Sequence, residues 1–262
     1  MWVTPSAAHA HAWLFVALVP VGLLGSLFAW GLSPAVEAST GELSRGTGLY
    51  QRARLGPSRR VIRSLTVLFS VDAAGGGLVT TGFLSYYLAE RYGVSLSTLG
   101  WLFFAVSTTQ AVSVLVAPLL ARRFGLVPTM VGTHLPSNLL LASMAFAPSF
   151  TVAAILLLVR TTLSQMDVPT RQALVMAVAT PPERTEAAAI TNAARYSVRP
   201  IAPLLGGALQ LISPGIPLLV AGMVKGGYDV ALWRWARSLP SLRSRRSSGA
   251  LGPGQTTRED GP

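Results

Sequence analysis

The sequence predicts an all-α integral membrane protein. Its 262 residues are 51% hydrophobic and only 12% charged, which leaves too little polar surface for a soluble fold of this size. Seven stretches each contain about 20 mostly apolar residues, the length that a helix needs to cross a bilayer. Residues 150–159 are apolar on every face, whereas a transmembrane strand would alternate between apolar and polar positions. The chain is therefore expected to cross the membrane as seven helices.

Short connections separate most of these helices. The turn formers and charges in them, such as PPER at 181–184 and SPG at 213–215, are typical of helical hairpins. From residue 62 onward they leave no room for a soluble domain. The predicted spans are residues 12–32, 62–89, 98–120, 126–147, 150–178, 187–211 and 215–235.

The first apolar stretch has a second interpretation. Small residues at 36–39 resemble a cleavage site, so residues 12–32 could form a signal peptide. The stretch is longer than the apolar core of a signal peptide, and no Lys or Arg precedes it. Both observations favour a membrane helix.

Most basic residues lie at helix ends, and the net charge is +11. If successive helices alternate in direction, these arginines share one side of the membrane, and Arg91 lies on the other. The positive-inside rule then places the loop at 33–61 and the C-terminus in the cytoplasm and the N-terminus outside. We expect a multi-pass protein of the cell membrane. The arginines on the cytoplasmic side are Arg45, Arg52, Arg54, Arg59, Arg60, Arg63, Arg122, Arg123, Arg184, Arg234, Arg237, Arg243, Arg245 and Arg246.

The basic composition does not indicate a nucleic-acid partner, because no aromatic residues are interleaved with the arginines and no binding motif is present. Residues 236–262 are poor in apolar side chains and rich in Ser, Gly, Pro and Arg. This composition predicts a disordered cytoplasmic tail.

Enzyme classes find little support in the sequence. The chain contains no cysteine, which excludes disulfides, thiolate metal sites and thiol chemistry. It also lacks HExxH, GxSxG and Walker A motifs, and without a Walker A loop an ATP-driven pump is not expected. We therefore expect no enzyme, no cofactor and no metal site. An intramembrane hydrolase or lipid-modifying enzyme is the alternative.

Asp72 lies well inside the second predicted span. Ionisable side chains within a bilayer are costly and usually face a protein interior or a water-filled cavity. Helical spacing places Gly76, Thr80 and Tyr87 near the same face. Asp72 is therefore expected either to begin a polar stripe along a cavity or to form an ion pair inside the bundle. The neighbouring glycines at 75–77 allow close approach of another helix or of a substrate.

Two further pairs of charges have the spacing of ion pairs within one helix. Asp167 and Arg171 are four residues apart with the acid first, the favourable order. Lys225 and Asp229 are also four apart. We expect both to be internal structural pairs.

Arg195 and Arg199 are four residues apart but carry the same charge. They cannot neutralise each other, so they need an anionic partner, either a buried aspartate or a substrate anion. Arg160 is another basic residue deep in a predicted span, and its simplest role is a structural salt bridge.

His134 and Asn138 share one face of the fourth predicted span, and Pro136 lies between them, where it would kink the helix. The ordinary pKa of histidine, about 6.5, would allow His134 to carry protons. The alternative is a hydrogen-bonded packing role.

Three motifs, taken in order along the chain, resemble those of the major facilitator superfamily. LLARRFG at 119–125 is similar to its cytoplasmic loop signature, although Arg122 stands where the signature has aspartate and Pro118 where it has the first glycine. Residues 156–184 resemble the long helix with an internal arginine that ends in a Pro-Pro-Glu-Arg turn. YSVRPIAPLLGGAL at 196–209 resembles a Gly-Pro-x-x-Gly-Gly helix. The matching residues are Leu120, Ala121, Arg123 and Gly125 in the first motif and Pro203, Gly206 and Gly207 in the last.

The resemblance implies the last seven of twelve helices of a secondary transporter. Residues 1–32 would be the sixth helix, residues 33–61 the basic loop between two bundles, residues 62–235 a six-helix C-terminal bundle, and residues 236–262 the tail. The expected function is alternating-access transport of a small solute, coupled to an ion or proton. The missing bundle would come from the same parent chain or from a second subunit. The alternative is a non-transporting membrane subunit or remnant.

The resemblance also implies site residues. An arginine at the place of Arg160 has been linked to proton coupling in the resembling helix. If the two internal pairs form, Asp72 is left as the only deep carboxylate opposite Arg160, Arg195 and Arg199. This surplus of positive charge suits an anionic or polar solute, or a proton held only transiently on Asp72.

Reporter fusions test the predicted orientation. Fusions placed after Arg60 and after Arg237 should report cytoplasm, and a fusion at Tyr92 should report the outside, because the arginines are retained on the cytoplasmic side. A cytoplasmic signal at Tyr92 would contradict both the number of spans and the orientation.

Overall fold

The computed structural model of the protein describes residues 19–31 and 55–238. The expectations for the N-terminal end of the first span, the loop and the tail therefore lie largely outside the described residues. The chain divides into two units, Met1–Arg52 and Ala53–Pro262. In the first unit the structure describes helix α1, Val19–Trp30.

The second unit is a helical bundle, and the described residues contain no strand. Two short 3-10 turns, Met144–Phe146 and Pro181–Glu183, join helices within it. The prediction of an all-α membrane fold is confirmed. The helices are α2 (Arg59–Leu78), α3 (Thr81–Tyr92), α4 (Leu96–Phe124), α5 (Leu126–Ser143), α6 (Phe150–Ser164), α7 (Asp167–Val178), α8 (Arg184–Val198), α9 (Ala202–Ile212) and α10 (Ile216–Ser238).

Four helical segments of the described chain are long and apolar enough to cross a membrane: Arg59–Tyr92, Leu96–Phe124, Phe150–Val178 and Ile216–Ser238. The spans predicted at 126–147 and 187–211 are also largely helical but less regular. Helix α5 carries polar residues in its middle, and the span at 187–211 consists of two helices, α8 and α9. The count of seven spans stays a prediction.

The helix predicted at 62–89 is broken. Helix α2 ends at Leu78, and Thr80 caps α3 by accepting a hydrogen bond from the backbone N–H of Phe83 at 3.1 Å. Threonine is a good N-cap because its hydroxyl satisfies one of the unpaired N–H groups of the first turn. The expected continuous stripe from Asp72 through Thr80 to Tyr87 is therefore wrong, since Val79 and Thr80 interrupt the helix on which it depends.

Glycine allows α2 and α9 to lie close together. A Cβ on Gly77 would come within 2.6 Å of the Ala202 Cβ atom, and a Cβ on Gly206 would overlap the carbonyl oxygen of Leu78. Closely packed backbones at small residues are a general way of joining helices in a membrane. These contacts support the packing interpretation of the glycine-rich segment.

The start of α2 is held to the turn between α7 and α8 by one carboxylate. Glu183 accepts hydrogen bonds from the backbone N–H groups of Gly56 and of Ser58, the latter at 3.2 Å, and from the Thr180 hydroxyl at 2.7 Å. Hydrogen bonds from Ser58 and Thr180 lower the pKa of Glu183 from 4.5 to about 2. The contribution of this carboxylate to stability is present above pH 4.5 and is lost as the pH falls through about 2.

Two apolar clusters fill the bundle. One includes Leu88, Leu141, Leu157 and Leu218. The other includes Phe69, Met130, Leu174, Tyr228 and Leu232. Along helices α2, α5 and α10, Asp72, His134 and Lys225 lie between the positions that belong to the two clusters. The bundle therefore contains a polar layer between two apolar layers.

The contact between α2 and α9 leads to a matched test. Gly206→Ala should lower the free energy of unfolding by about 1–3 kcal/mol, because the new methyl group overlaps the backbone of Leu78. The adjacent Gly207 has no atom within 4 Å of an added Cβ, so Gly207→Ala should leave stability unchanged or raise it slightly. Unfolding in mixed micelles titrated with denaturing detergent measures both, and equal effects would contradict the close contact.

Candidate functional site

The polar layer is a cluster of charged and amide side chains contributed by five helices. Every member is buried except Arg195, whose side chain is 18% exposed. Ionisable groups at such depth are expected to pair with one another or to face a cavity. The members are Asp72 on α2, His134 and Asn138 on α5, Asp167 and Arg171 on α7, Arg195 on α8, and Lys225 and Asp229 on α10.

Asp72 is the centre of this cluster. Its Oδ1 accepts a hydrogen bond from Lys225 and lies 3.7 Å from His134 Nε2. Its Oδ2 lies 3.7 Å from an Nη atom of Arg171 and 3.6 Å from one of Arg195. One carboxylate thus faces cationic or titratable groups from four other helices, and their attraction offsets the cost of burying its charge.

Gly75 makes room for the contact between Asp72 and Lys225. A Cβ on Gly75 would come within 2.7 Å of Lys225 Cγ and 3.2 Å of a Val224 methyl group. The aliphatic part of the Lys225 side chain therefore packs against α2 at Gly75, which has no side chain. One of the glycines that follow Asp72 in the sequence thus allows its cation to reach it.

Asp229 has a separate set of partners on α5. The His134 Nδ1–H group donates to its Oδ1 at 2.8 Å, and the Asn138 amide donates to its Oδ2 at 2.8 Å. His134 therefore lies between two carboxylates, with Nδ1 on Asp229 and Nε2 directed to Asp72. Both ring nitrogens donate only when the imidazole is protonated, so a proton on His134 strengthens its contact with Asp72.

The structure brings Asp167 and Arg171 into contact within α7. The Arg171 guanidinium also lies 5.8 Å from the centre of the Phe69 ring, a cation–π distance. The expected pair between Lys225 and Asp229 is wrong: Lys225 contacts Asp72, and Asp229 is bonded to α5. Both side chains lie at a helix–helix contact, where partners on neighbouring helices take the place of the residue four positions away.

Several predicted site residues lie outside the cluster. Thr80 is exposed at the cap of α3, and Tyr87 is buried and donates to the carbonyl of Met144 at 3.1 Å. Arg199 is exposed, so the structure separates it from Arg195, which reaches Asp72. Arg160 is half-buried, and its Nε atom has no hydrogen-bond partner among the described residues.

The LLARRFG motif ends in the turn between α4 and α5. Gly125 has φ +91°, a value that favours glycine, and it ends α4 and begins α5. Arg122 and Arg123 are exposed in the last turn of α4. Basic residues at this end of a helix interact favourably with its dipole.

A small pocket of about 30 Å³ leads into the cluster between α2, α7 and α8. Gln172 and Asn192 are exposed at its mouth, and sequence reasoning did not single them out. The spacing of Thr191 and Arg195, four residues apart on α8, was the available signal for a polar face. The pocket is lined by Phe69, Arg171, Gln172, Thr191, Asn192 and Arg195, with apolar neighbours.

Comparison with known proteins places this bundle in a family. The model of the Major Facilitator Superfamily matches residues 65–256, so the chain belongs to that superfamily. Members of the superfamily are transporters and not enzymes. The chain is also 29% identical over 150 residues to the uncharacterized membrane protein YJR124C of Saccharomyces cerevisiae. The match covers 57% of this chain and 34% of that relative, so the matched part spans about a third of the relative's length.

A double-mutant cycle tests whether Lys225 and Asp72 depend on each other. Lys225→Met should lower the free energy of unfolding by about 3–5 kcal/mol, because it removes one partner of a buried pair. The same change in an Asp72→Asn background should cost less, since no carboxylate is left unpaired. Detergent unfolding provides the four values. Equal costs in both backgrounds would show that the two residues act independently.

Proposed function

We propose that this chain is part of a secondary active transporter that moves a small solute by alternating access, coupled to an ion or a proton. The supporting observation is the buried cluster in which Asp72 faces Lys225, Arg171, Arg195 and His134 from four different helices. Ionisable groups inside a membrane bundle are typical of ion and substrate pathways. Contacts that join several helices can be exchanged when those helices move.

Proton coupling is supported by the position of His134. Its two nitrogens face Asp72 and Asp229, and histidine is the side chain whose ordinary pKa lies nearest to neutral pH. A proton gained by His134 adds a positive charge beside Asp72. Breaking the contact of Asp72 with Lys225 or with an arginine then costs less free energy. Protonation and rearrangement of the ion pairs are linked in this way.

The six predicted spans from residue 62 onward are proposed to form one of two bundles, with the pathway between them. Major-facilitator transporters bind their substrates near the bilayer midplane, where two repeats meet. The breaks between α2 and α3, α6 and α7, and α8 and α9 are of the kind found in transport helices. The second bundle would come from the same parent chain or from another subunit, in a cell membrane with the arginine-rich side in the cytoplasm.

A non-transporting membrane subunit is the second candidate. The observation that favours it is the number of close partners of Asp72. A fully paired carboxylate can have a purely structural role, in which it holds helices together. The two functions differ in what removal of the central pair does to transport and to folding.

A charge-balanced variant separates these functions. In the complete transporter, Asp72→Asn combined with Lys225→Met removes one negative and one positive charge, so the cluster keeps its net charge. We expect coupled flux to fall to background while the amount of folded protein in the membrane stays near that of the wild type. Proteoliposomes that contain a pH-sensitive dye report proton movement when each of a panel of small solutes is added.

The controls identify the role of the pair. Arg234→Gln, at an exposed position on α10, should leave flux unchanged. Wild-type flux in the double variant would remove the Asp72–Lys225 pair from the mechanism. Robust flux from the 262-residue chain alone would show that one bundle suffices.

A further inference from the structure

Three cations of the cluster share two carboxylates. Arg171, Arg195 and Lys225 contribute three positive charges close to Asp72, and Asp72 and Asp167 contribute two negative charges. The third carboxylate, Asp229, is hydrogen-bonded to His134 and Asn138. A positive charge without a full partner is costly in a buried site.

Among these three cations, Arg195 has the weakest pairing. Its nearest acidic atom is the Asp72 Oδ2 at 3.6 Å, beyond hydrogen-bond distance, and that carboxylate also faces Arg171 and Lys225. The Nε atom of Arg195 is buried and has no hydrogen-bond partner among the described residues. Unsatisfied donors at this depth favour the binding of an acceptor.

The pocket is the place where such an acceptor would bind. Arg171 and Arg195 line it together with the side chains of Gln172, Thr191 and Asn192. These groups supply N–H and O–H donors, and no carboxylate belongs to the lining. The apolar side of the pocket includes Phe69, Val175 and Met176.

The size of the pocket limits the anion. A water molecule needs roughly 10–15 Å³ of such space, so a pocket of about 30 Å³ has room for about two oxygen-sized groups. A carboxylate presents two oxygens in one plane, and guanidinium groups match this geometry. A phosphate, with four oxygens, would leave about two of them outside this space.

We propose that this pocket is the subsite for the carboxylate of an organic anion, which makes small organic carboxylates the solute class of the transporter. The assignment of a solute rests on the proposed function. A carboxylate bound to Arg195 competes with Asp72 for that cation. Solute binding would then weaken the link between α2 and α8 and leave Asp72 more dependent on Lys225 and His134.

The test measures binding of a minimal probe to the 262-residue chain in lipid nanodiscs. Sodium acetate is the probe, and acetamide is its neutral counterpart of nearly the same shape. Saturation-transfer NMR on the acetate methyl group detects weak binding and does not require transport. We expect saturable binding of acetate and none of acetamide.

Two matched pairs of variants locate the site. Ala188→Leu fills the pocket and leaves both arginines in place, whereas Ala189→Leu makes the same change at an exposed neighbour. Arg195→Gln removes the weakly paired cation, whereas Arg234→Gln removes an exposed cation on α10. Ala188→Leu and Arg195→Gln should weaken acetate binding at least tenfold, and the two controls should retain it.

The outcomes separate the subsite from the transport function. Acetate binding that survives Ala188→Leu, equal binding of acetamide, or no acetate binding by the wild-type chain would each overturn the subsite. If Arg195→Gln does not fold, Ala188→Leu still decides the question. Acetate binding at this pocket in a protein without solute flux would support the subsite and overturn the transporter. Solute flux without acetate binding would support the transporter and overturn the subsite.

Discussion

The burial of the Asp72 charge is the constraint on which the rest of this bundle depends. A carboxylate inside an apolar helical bundle is tolerated only with cations or strong donors around it. Here those groups come from α5, α7, α8 and α10. Each of these helices must present one particular side to α2, so a single charge restricts the rotation of four neighbours.

The apolar clusters and the small residues make this arrangement possible. Clusters on either side of the polar layer exclude solvent from it, and exclusion of water strengthens each ionic contact. Gly75 admits Lys225, and the close contact at Gly206 holds α9 against α2. The same glycines that weaken a helix thus permit the contacts that hold the bundle together.

The cluster also differs from a purely structural ion-pair network. Arg195 is only loosely paired, and a pocket reaches the arginines from the surface. Membership of the Major Facilitator Superfamily gives these features a context, because the proposed transport would exchange ion pairs as helices move. Glu183 ties the first residues of α2 to the turn before α8, so a shift of α8 at its start would carry the start of α2 with it.

The sequence by itself determined that the chain is an all-α membrane protein with a few deep charges, because long apolar runs and isolated ionisable residues are visible without any structure. Spacing within one helix also indicated the contact between Asp167 and Arg171, since residues four apart are neighbours on a helix. Such spacing carries no information about other helices. Only the tertiary structure decided that Lys225 turns to Asp72 and not to Asp229, that α2 stops before Thr80, and that Arg199 stays at the surface. The physical reason is that a buried charge pairs with the strongest partner that packing brings near, and that partner lies up to 153 positions away along the chain.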